Sequence, residues 1–293
     1  MPQMRPKPSE IAAEAKRTYI PYIQRNMPKC PPHSMLYADS SQIHVAPEKR
    51  TAQRLRVAVF DGDPVDVALD WYNSNLKDPA RAQPTARIPV VNMANEKRAG
   101  GDWESGLIAP EECFARRSNL VQALVTPWNP NTGMAHYPIP QKGGIYSQYV
   151  VVFREAFEPY TIWKEFKDLP VISVAPVRRP KLDESGKHYS FDQERELMKE
   201  KMRTVLRIAA YCSHRELCLG AFGVGPIFRN PVEEVANMWR ALLFHEPEFQ
   251  GVFTNVVFAI EKNPPGHMRG GEHDYEAFVE AFDPKKVFRT ASF

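Results

Sequence analysis

The sequence predicts a three-layer α/β domain, a sheet with helices on both faces, preceded by an N-terminal helical extension. Three observations predict it. Short apolar strand patterns alternate with amphipathic helix patterns from Leu55 onward, several helices open on a proline in the first turn, and two of the strands run into glycine-bearing loops. Alternation of this kind implies parallel strands joined by right-handed crossovers through helices. The extension takes residues 1–50 and packs on the core, and residues 51–293 form the domain as one structural unit.

Pro6 to Tyr22 reads as a helix started by Ser9 with Glu10 behind it, followed by a proline-rich crossing from Pro28 to Pro47. Leu55 to Phe60 is a short apolar strand. Asp63-Pro64 then starts a helix running to about Leu76, the aspartate accepting from free backbone N–H groups and the proline fixing the first helical φ. Ile88 to Asn92 is the next strand. Pro110 opens a helix in which Phe114, Val121 and Val125 keep one face, with Cys113, Leu120 and Leu124 beside them. Tyr149 to Phe153 and Val171 to Ala175 are further strands. Met198, Met202, Val205, Ala209 and Cys212 step by helical intervals and form a core stripe. Glu216 to Leu219 is a strand, and Asn230-Pro231-Val232-Glu233 combines an N-cap, a first-turn proline and a capping-box glutamate before a helix through Phe244. Val252 to Ile260 is a late buried strand, Gly266 to Gly271 a loop, and Tyr275 to Phe282 a terminal helix.

Composition narrows the function classes. With 43% hydrophobic and 25% charged residues the 293-residue chain is globular rather than disordered or fibrous. A net charge of +3 is too balanced for a nucleic-acid scaffold, and no run of 18 apolar residues offers a membrane span. The polar start, Met1 to Lys16, lacks the apolar stretch of a secretion signal, so the expected setting is intracellular, cytoplasm or nucleus. Cys30, Cys113, Cys212 and Cys218 lack C-x-x-C spacing and read as reduced thiols. The eight histidines show no H-E-x-x-H or paired spacing and the serines no G-x-S-x-G elbow, which disfavours zinc and serine hydrolases. No cofactor is expected. The 27 prolines mark fixed loops and sharp helix starts, whereas the 15 glycines are scarce enough that their clusters carry information.

Two segments concentrate unusual residues after strands, where open α/β sheets place their ligand crevice. The first, Asn92 to Glu112, reads NMANEKRAGGDWESGLIAPEE. Gly100-Gly101 lets backbone approach a ligand, and Glu111-Glu112 occupy a first helical turn, where acidic residues also complement the helix dipole by about 0.3 to 1 kcal/mol each. Trp103 either covers a ligand or packs in the core. The second, Leu219 to Asn230, reads LGAFGVGPIFRN and offers a nest of backbone amides suited to a diphosphate. It lacks the lysine of a Walker loop, and its glycine order is not the dinucleotide fingerprint. Arg178-Arg179 reads as a solvated face.

Together these segments resemble the microbial-type poly(ADP-ribose) glycohydrolase family. The first is similar to that family's Asn-x-Ala opening, triple-glycine loop and Gln-Glu-Glu turn, and the second to its Gly-Ala-Trp-Gly-Cys-Gly-Val-Phe-Arg-Asn loop. Weaker similarity extends through Ile145-Tyr146-Ser147 to Val152-Phe153-Arg154 and the Val257 to Ile260 strand. The resemblance implies a macrodomain-like fold and a pocket for ADP-ribose, poly(ADP-ribose) or ADP-ribosylated macromolecules. It implies that Glu112 is the acid/base and that Glu111 holds ribose hydroxyls. By the same resemblance Asn92 is expected to orient the ribose, Gly100 and Gly101 to lie near the diphosphate and the scissile ribose, Gly220, Phe222, Gly223, Val224 and Gly225 to form the phosphate loop, and Phe228 to pack on the adenosine side. Departures from the pattern are Asp102 for the third glycine, Pro110 for the glutamine, and one extra residue around Pro226 and Ile227. An aspartate facing a diphosphate is repelled by about 1 kcal/mol at 4 Å in water, and by more in a drier site.

The implied reaction is hydrolysis of the ribose-ribose O-glycosidic bond, or of a terminal ADP-ribosyl linkage, through an oxocarbenium-like ribose. A helix N-terminus lowers a carboxyl pKa while an acid working at neutral pH needs it raised, so desolvation by bound substrate and the neighbouring charges of Glu111 and the diphosphate are expected to supply the difference. A reader that binds ADP-ribose with weak or no hydrolysis is the alternative, favoured by Asp102 and Pro110.

Overall fold

The computed structural model describes residues 6–46, 50–79, 86–132, 135–156, 159–264 and 271–287. Seven strands make one sheet in the order β1-β4-β5-β3-β6-β7-β2, where β1 is Ser34–Tyr37, β2 Arg56–Phe60, β3 Val90–Met93, β4 Gly144–Arg154, β5 Ile162–Val174, β6 Glu216–Leu219 and β7 Asn255–Ala259. β5, β3, β6, β7 and β2 run parallel to one another, while β4 is antiparallel to both β5 and β1, so the sheet is mixed. β2 and β3, joined by a helix, are parallel but three places apart; β7 and β6 lie between them.

Helices cover both faces, as the three-layer expectation requires. α6 (Asp192–Tyr211), α7 (Val232–Phe244) and α8 (Gly271–Ala281) pack over Leu217, Leu219, Val256 and Phe258. α3 (Pro64–Leu76), α4 (Pro110–Arg117) and α5 (Leu120–Val125) contribute to the opposite core with Cys218, Val257 and Ala259. The two sets alternate residue by residue along β6 and β7, the period-two pattern of strands buried on both faces. The Met198, Met202, Val205, Ala209 stripe of α6 is wholly buried.

The chain start is helical over Pro8–Glu14 (α1) and Ile20–Asn26 (α2) with a π-turn, Ala15–Tyr19, between them. Its cap is Lys7 rather than Ser9, the Glu10 carboxylate accepting from the Lys7 N–H at 2.8 Å. Within the proline-rich crossing lies β1, which pairs with β4 as an edge strand. α3 begins as the sequence predicts, Asp63 Oδ1 accepting from the N–H groups of Val65 and Asp66.

Three expectations are corrected. The helix predicted onward from Pro110 breaks at Ser118-Asn119, because Asn119 turns to exchange hydrogen bonds with Val151 of β4: the Val151 N–H donates to Asn119 Oδ1 at 2.7 Å and the Asn119 N–H to the Val151 carbonyl at 3.0 Å. Asn230 does not cap α7. Its Nδ2 instead donates to the carbonyls of Val177 and Gly223, both at 2.8 Å, and Pro231 takes the cap position. α8 begins at Gly271, four residues before the predicted start, and a last turn, α9, covers Pro284–Val287. The Gly266 to Gly271 loop lies outside the described residues except for Gly271.

Candidate active site

The parallel strands end on one rim, and the segments leaving them build a cleft with a cavity volume of about 180 Å³. β3 and β6 are adjacent, yet β3 leads to α4 on one face and β6 to α7 on the other. Adjacent strands whose connections leave to opposite faces create the crevice in which α/β sheets take their ligands.

After β3 the chain makes tight turns, with Gly101, Trp103 and Ser105 N–H groups donating to the carbonyls of Arg98, Gly100 and Asp102. Gly100 and Gly101 sit at φ of 73° and 58°, the left-handed region. A Cβ on Gly101 would collide with Glu112 Oε1, and one on Gly100 would stand 2.5 Å from Val121 Cγ2. Gly101 is therefore required by the closeness of α4 and Gly100 chiefly by that of Val121 on α5, and neither lines the cleft.

Pro110 forms the first turn of α4, bringing Glu111 and Glu112 to the cleft wall at 4% and 7% exposure. Glu111 is gripped from both oxygens: Oε2 accepts from the Asn95 N–H at 2.7 Å, and Oε1 from the Gly100 N–H at 3.2 Å and Asn92 Nδ2 at 3.3 Å. Asn92 stands behind it rather than in the cleft, and also donates to Ser173 Oγ at 3.1 Å. Burial pushes the Glu111 carboxyl up to about 8 despite those three donors and with the help of the Glu112 charge. Glu112 Oε1 accepts a single loop N–H, from Asp102 at 3.1 Å. Burial also holds Glu112 above the usual carboxylate range, against the Asp102 N–H, its own N–H and the Arg116 charge. Burial in the folded chain thus acts on Glu112 in the direction that an acid working at neutral pH needs.

The second loop divides into two parts. Gly220, Val224, Gly225 and Phe228 line the same cleft as the glutamates. Phe222 points the other way, fully buried with its ring 5.9 Å from that of Trp239, and Gly223 packs against Met198 and donates its N–H to Met93 Sδ at 3.1 Å. Neither lines the cleft, so these two residues hold the loop to the core. Trp103 is likewise a packing residue, buried with Ala12 and Ala15 of the N-terminal helices.

Several cleft residues carried no motif. Asp63, read only as a helix cap, lines the cleft and pairs with buried Arg117 at 3.1 Å; Arg117 also pairs with Asp66. Glu261 and Asp274 bring further carboxyls to the same end, raised by burial to about 7 and about 6. Arg178, read as a solvated face, lines the cleft too, as does Lys97. No group of three or more His, Cys, Asp and Glu side chains suited to a metal ion occurs among the described residues.

Asp102 does not face the cleft. It is 46% exposed on its side chain and pairs outward with Arg98 at 2.6 Å. An exposed pair of this kind contributes about 0 to 1 kcal/mol. Asp102→Asn is accordingly expected to leave the affinity for ADP-ribose, the ligand that the resemblance of the two loops implies, within about threefold, as measured by calorimetry; a gain of tenfold or more would place the carboxylate against the ligand.

Fold and rim define a macrodomain-like α/β domain. The family profile of the microbial-type PARG (poly(ADP-ribose) glycohydrolase) catalytic domain matches residues 11–155. The chain is similar to the PARG of Thermomonospora curvata at 21% identity, covering 94% of this chain and 99% of that one with a TM-score of 0.68. It is similar to the Deinococcus radiodurans PARG in complex with ADP-ribose at 22% identity, covering 90% and 97% with a TM-score of 0.64. The T. curvata enzyme bound to the inhibitor ADP-HPD matches at 22% identity, 94% and 99% coverage and a TM-score of 0.67. No curated protein matches by sequence. The resemblance to the microbial-type PARG family drawn from the two loops is borne out.

Proposed function

We propose that the chain is an ADP-ribose-recognising glycohydrolase that cleaves the ribose-ribose bond of poly(ADP-ribose), or a terminal ADP-ribosyl linkage, with Glu112 as acid/base. One observation carries the reading: a buried carboxyl, held by burial above the usual carboxylate range, lines the same cleft as a glycine-bearing loop. Glu112 would protonate the leaving oxygen, then as carboxylate stabilise the ribosyl cation and take a proton from the attacking water. In this reading Glu111, fixed from both oxygens, holds ribose hydroxyls; Asn92 keeps Glu111 oriented; Gly100 and Gly101 admit α5 and α4 close to the loop. Gly220, Val224 and Gly225 present backbone to the diphosphate, Phe222 and Gly223 anchor that loop, and Phe228 packs against adenosine. The known partners of the relatives support this assignment: the D. radiodurans structure holds ADP-ribose.

In the same reading residues 1–50 are an extension packed on a domain of residues 51–293; the pairing of β1 with β4 and the burial of Trp103 in one cluster with Ala12 and Ala15 support that packing. No helix among the described residues is long and apolar enough to cross a membrane. The four cysteines are free, which fits the reducing interior of a cell. The decisive experiment incubates the protein with poly(ADP-ribose) and resolves the products: released ADP-ribose supports the reading, whereas calorimetric binding of ADP-ribose without any product makes the chain a reader.

The carboxyl pair predicts a pH signature. Glu111 ionises near 4.5 when unfolded and near 8 when folded, so the folded state keeps a proton that the unfolded state releases. Its contribution to stability is greatest below about pH 4.5 and is lost progressively as pH rises to about 8, by about 1.4 kcal/mol for each pH unit in that window. The melting temperature is expected to fall across that window, and less steeply for Glu111→Gln; parallel curves for the two proteins would refute the shift.

A further inference from the structure

Arg116 lies one helical turn beyond Glu112 on α4 and is fully buried. Its guanidinium faces three carbonyls of one short loop. Nε donates to Trp103 O at 2.8 Å, and Nη2 donates to Ser105 O at 2.9 Å and Leu107 O at 2.7 Å. Three carbonyl dipoles converging on one point repel one another unless a cation sits among them, and a planar fork of donors fixes their directions as a lysine could not. The same loop carries the Asp102 N–H that holds Glu112 Oε1, and Gly101, which stands against the Glu112 carboxyl. Loop and carboxyl are thus tied to one helix at two points four residues apart.

We infer that Arg116 is a positioning residue for the hydrolysis: it clamps the loop from Trp103 to Leu107 onto α4, so that the Asp102 N–H and Gly101 confine the Glu112 carboxyl to one orientation. The inference rests on Glu112 as acid/base, because the clamp acts through that group and touches no substrate. On the far side Trp103 packs against Ala12 and Ala15, so the loop is held from both faces. Without the clamp the carboxyl turns freely in the cleft, which costs orientation rather than binding; a misplacement of about 1 Å lowers turnover on the order of a hundredfold.

Arg116→Gln and Arg116→Lys test it through amide hydrogen exchange, ADP-ribose calorimetry and turnover of poly(ADP-ribose). In Arg116→Gln the Asp102 and Trp103 amides are expected to exchange at least about tenfold faster, while kcat drops at least about tenfold and KM and ADP-ribose affinity stay within about threefold. Arg116→Lys keeps the charge without the fork and is expected to recover only a small part of kcat. Unchanged exchange, or full turnover with lysine, overturns the clamp. If the unsubstituted protein shows no turnover, the glycohydrolase reading fails while the exchange result still decides whether Arg116 holds the loop. Should neither variant fold, exchange in the unsubstituted protein decides: loop amides opening together with α4 support the clamp, and loop amides opening independently overturn it.

Discussion

Replacing Glu112 by Gln is expected to lower turnover of poly(ADP-ribose) by about a hundred- to ten-thousand-fold, the range of general acid-base catalysis, while ADP-ribose still binds within several-fold of the original affinity. The reason is local. Glutamine is nearly the same shape, its carbonyl oxygen can still accept the Asp102 N–H, and it removes one proton-carrying group from a wall that is otherwise intact. The assay is release of ADP-ribose from polymer, with calorimetry on ADP-ribose as the binding control. Turnover like that of the unsubstituted protein would take Glu112 out of the chemistry and leave Glu111 as the carboxyl to examine.

Gly101→Ala is expected to be nearly as damaging without touching a charge. The residue sits at φ 58°, where an L side chain costs about 1 to 2 kcal/mol, and the new methyl would occupy the place of Glu112 Oε1 and stand 3.1 Å from Glu112 Cδ. Either the loop withdraws, breaking the Asp102 contact, or the carboxyl rotates away. Turnover is expected to fall on the order of a hundredfold, with a melting temperature lower by a few degrees. Normal turnover in a protein of reduced stability would show that the loop and the carboxyl are less tightly coupled than their contact implies.

What could be read from the residues alone follows a physical division. Local signals were legible: Asp63-Pro64 and Pro110 start helices where the sequence places them, because a side-chain cap or a fixed φ needs no distant partner. The α6 stripe was legible for the same reason, each step depending only on helical spacing. Features set by remote partners were not. The break between α4 and α5 comes from Val151, 32 residues away, and Asn230 is diverted from α7 by Val177, 53 residues away. β1 hid among prolines because an edge strand of four residues needs only its pairing with β4. The site divided likewise. Glycines and paired glutamates showed where backbone and carboxyls approach, but the inward turn of Phe222 depends on Trp239, and the outward turn of Asp102 on Arg98. Arg116 gave no motif, since its partners are carbonyls, which every residue carries.

The burial of Trp103 beneath the N-terminal helices gives the molecule a built-in optical reporter. Its indole joins the glycine loop to Ala12 and Ala15, so any event that lifts the chain start, whether a fused tag, a truncation or a partner that captures residues 8–26, moves the ring toward water and shifts its emission to the red. Of the other four tryptophans, Trp128 is already exposed, Trp71 and Trp163 are partly buried against the core under α3 to α5, and Trp239 lies in the core under α6 to α8. With those four replaced by Phe, emission from Trp103 reads the state of the loop beside Glu112 without substrate or turnover.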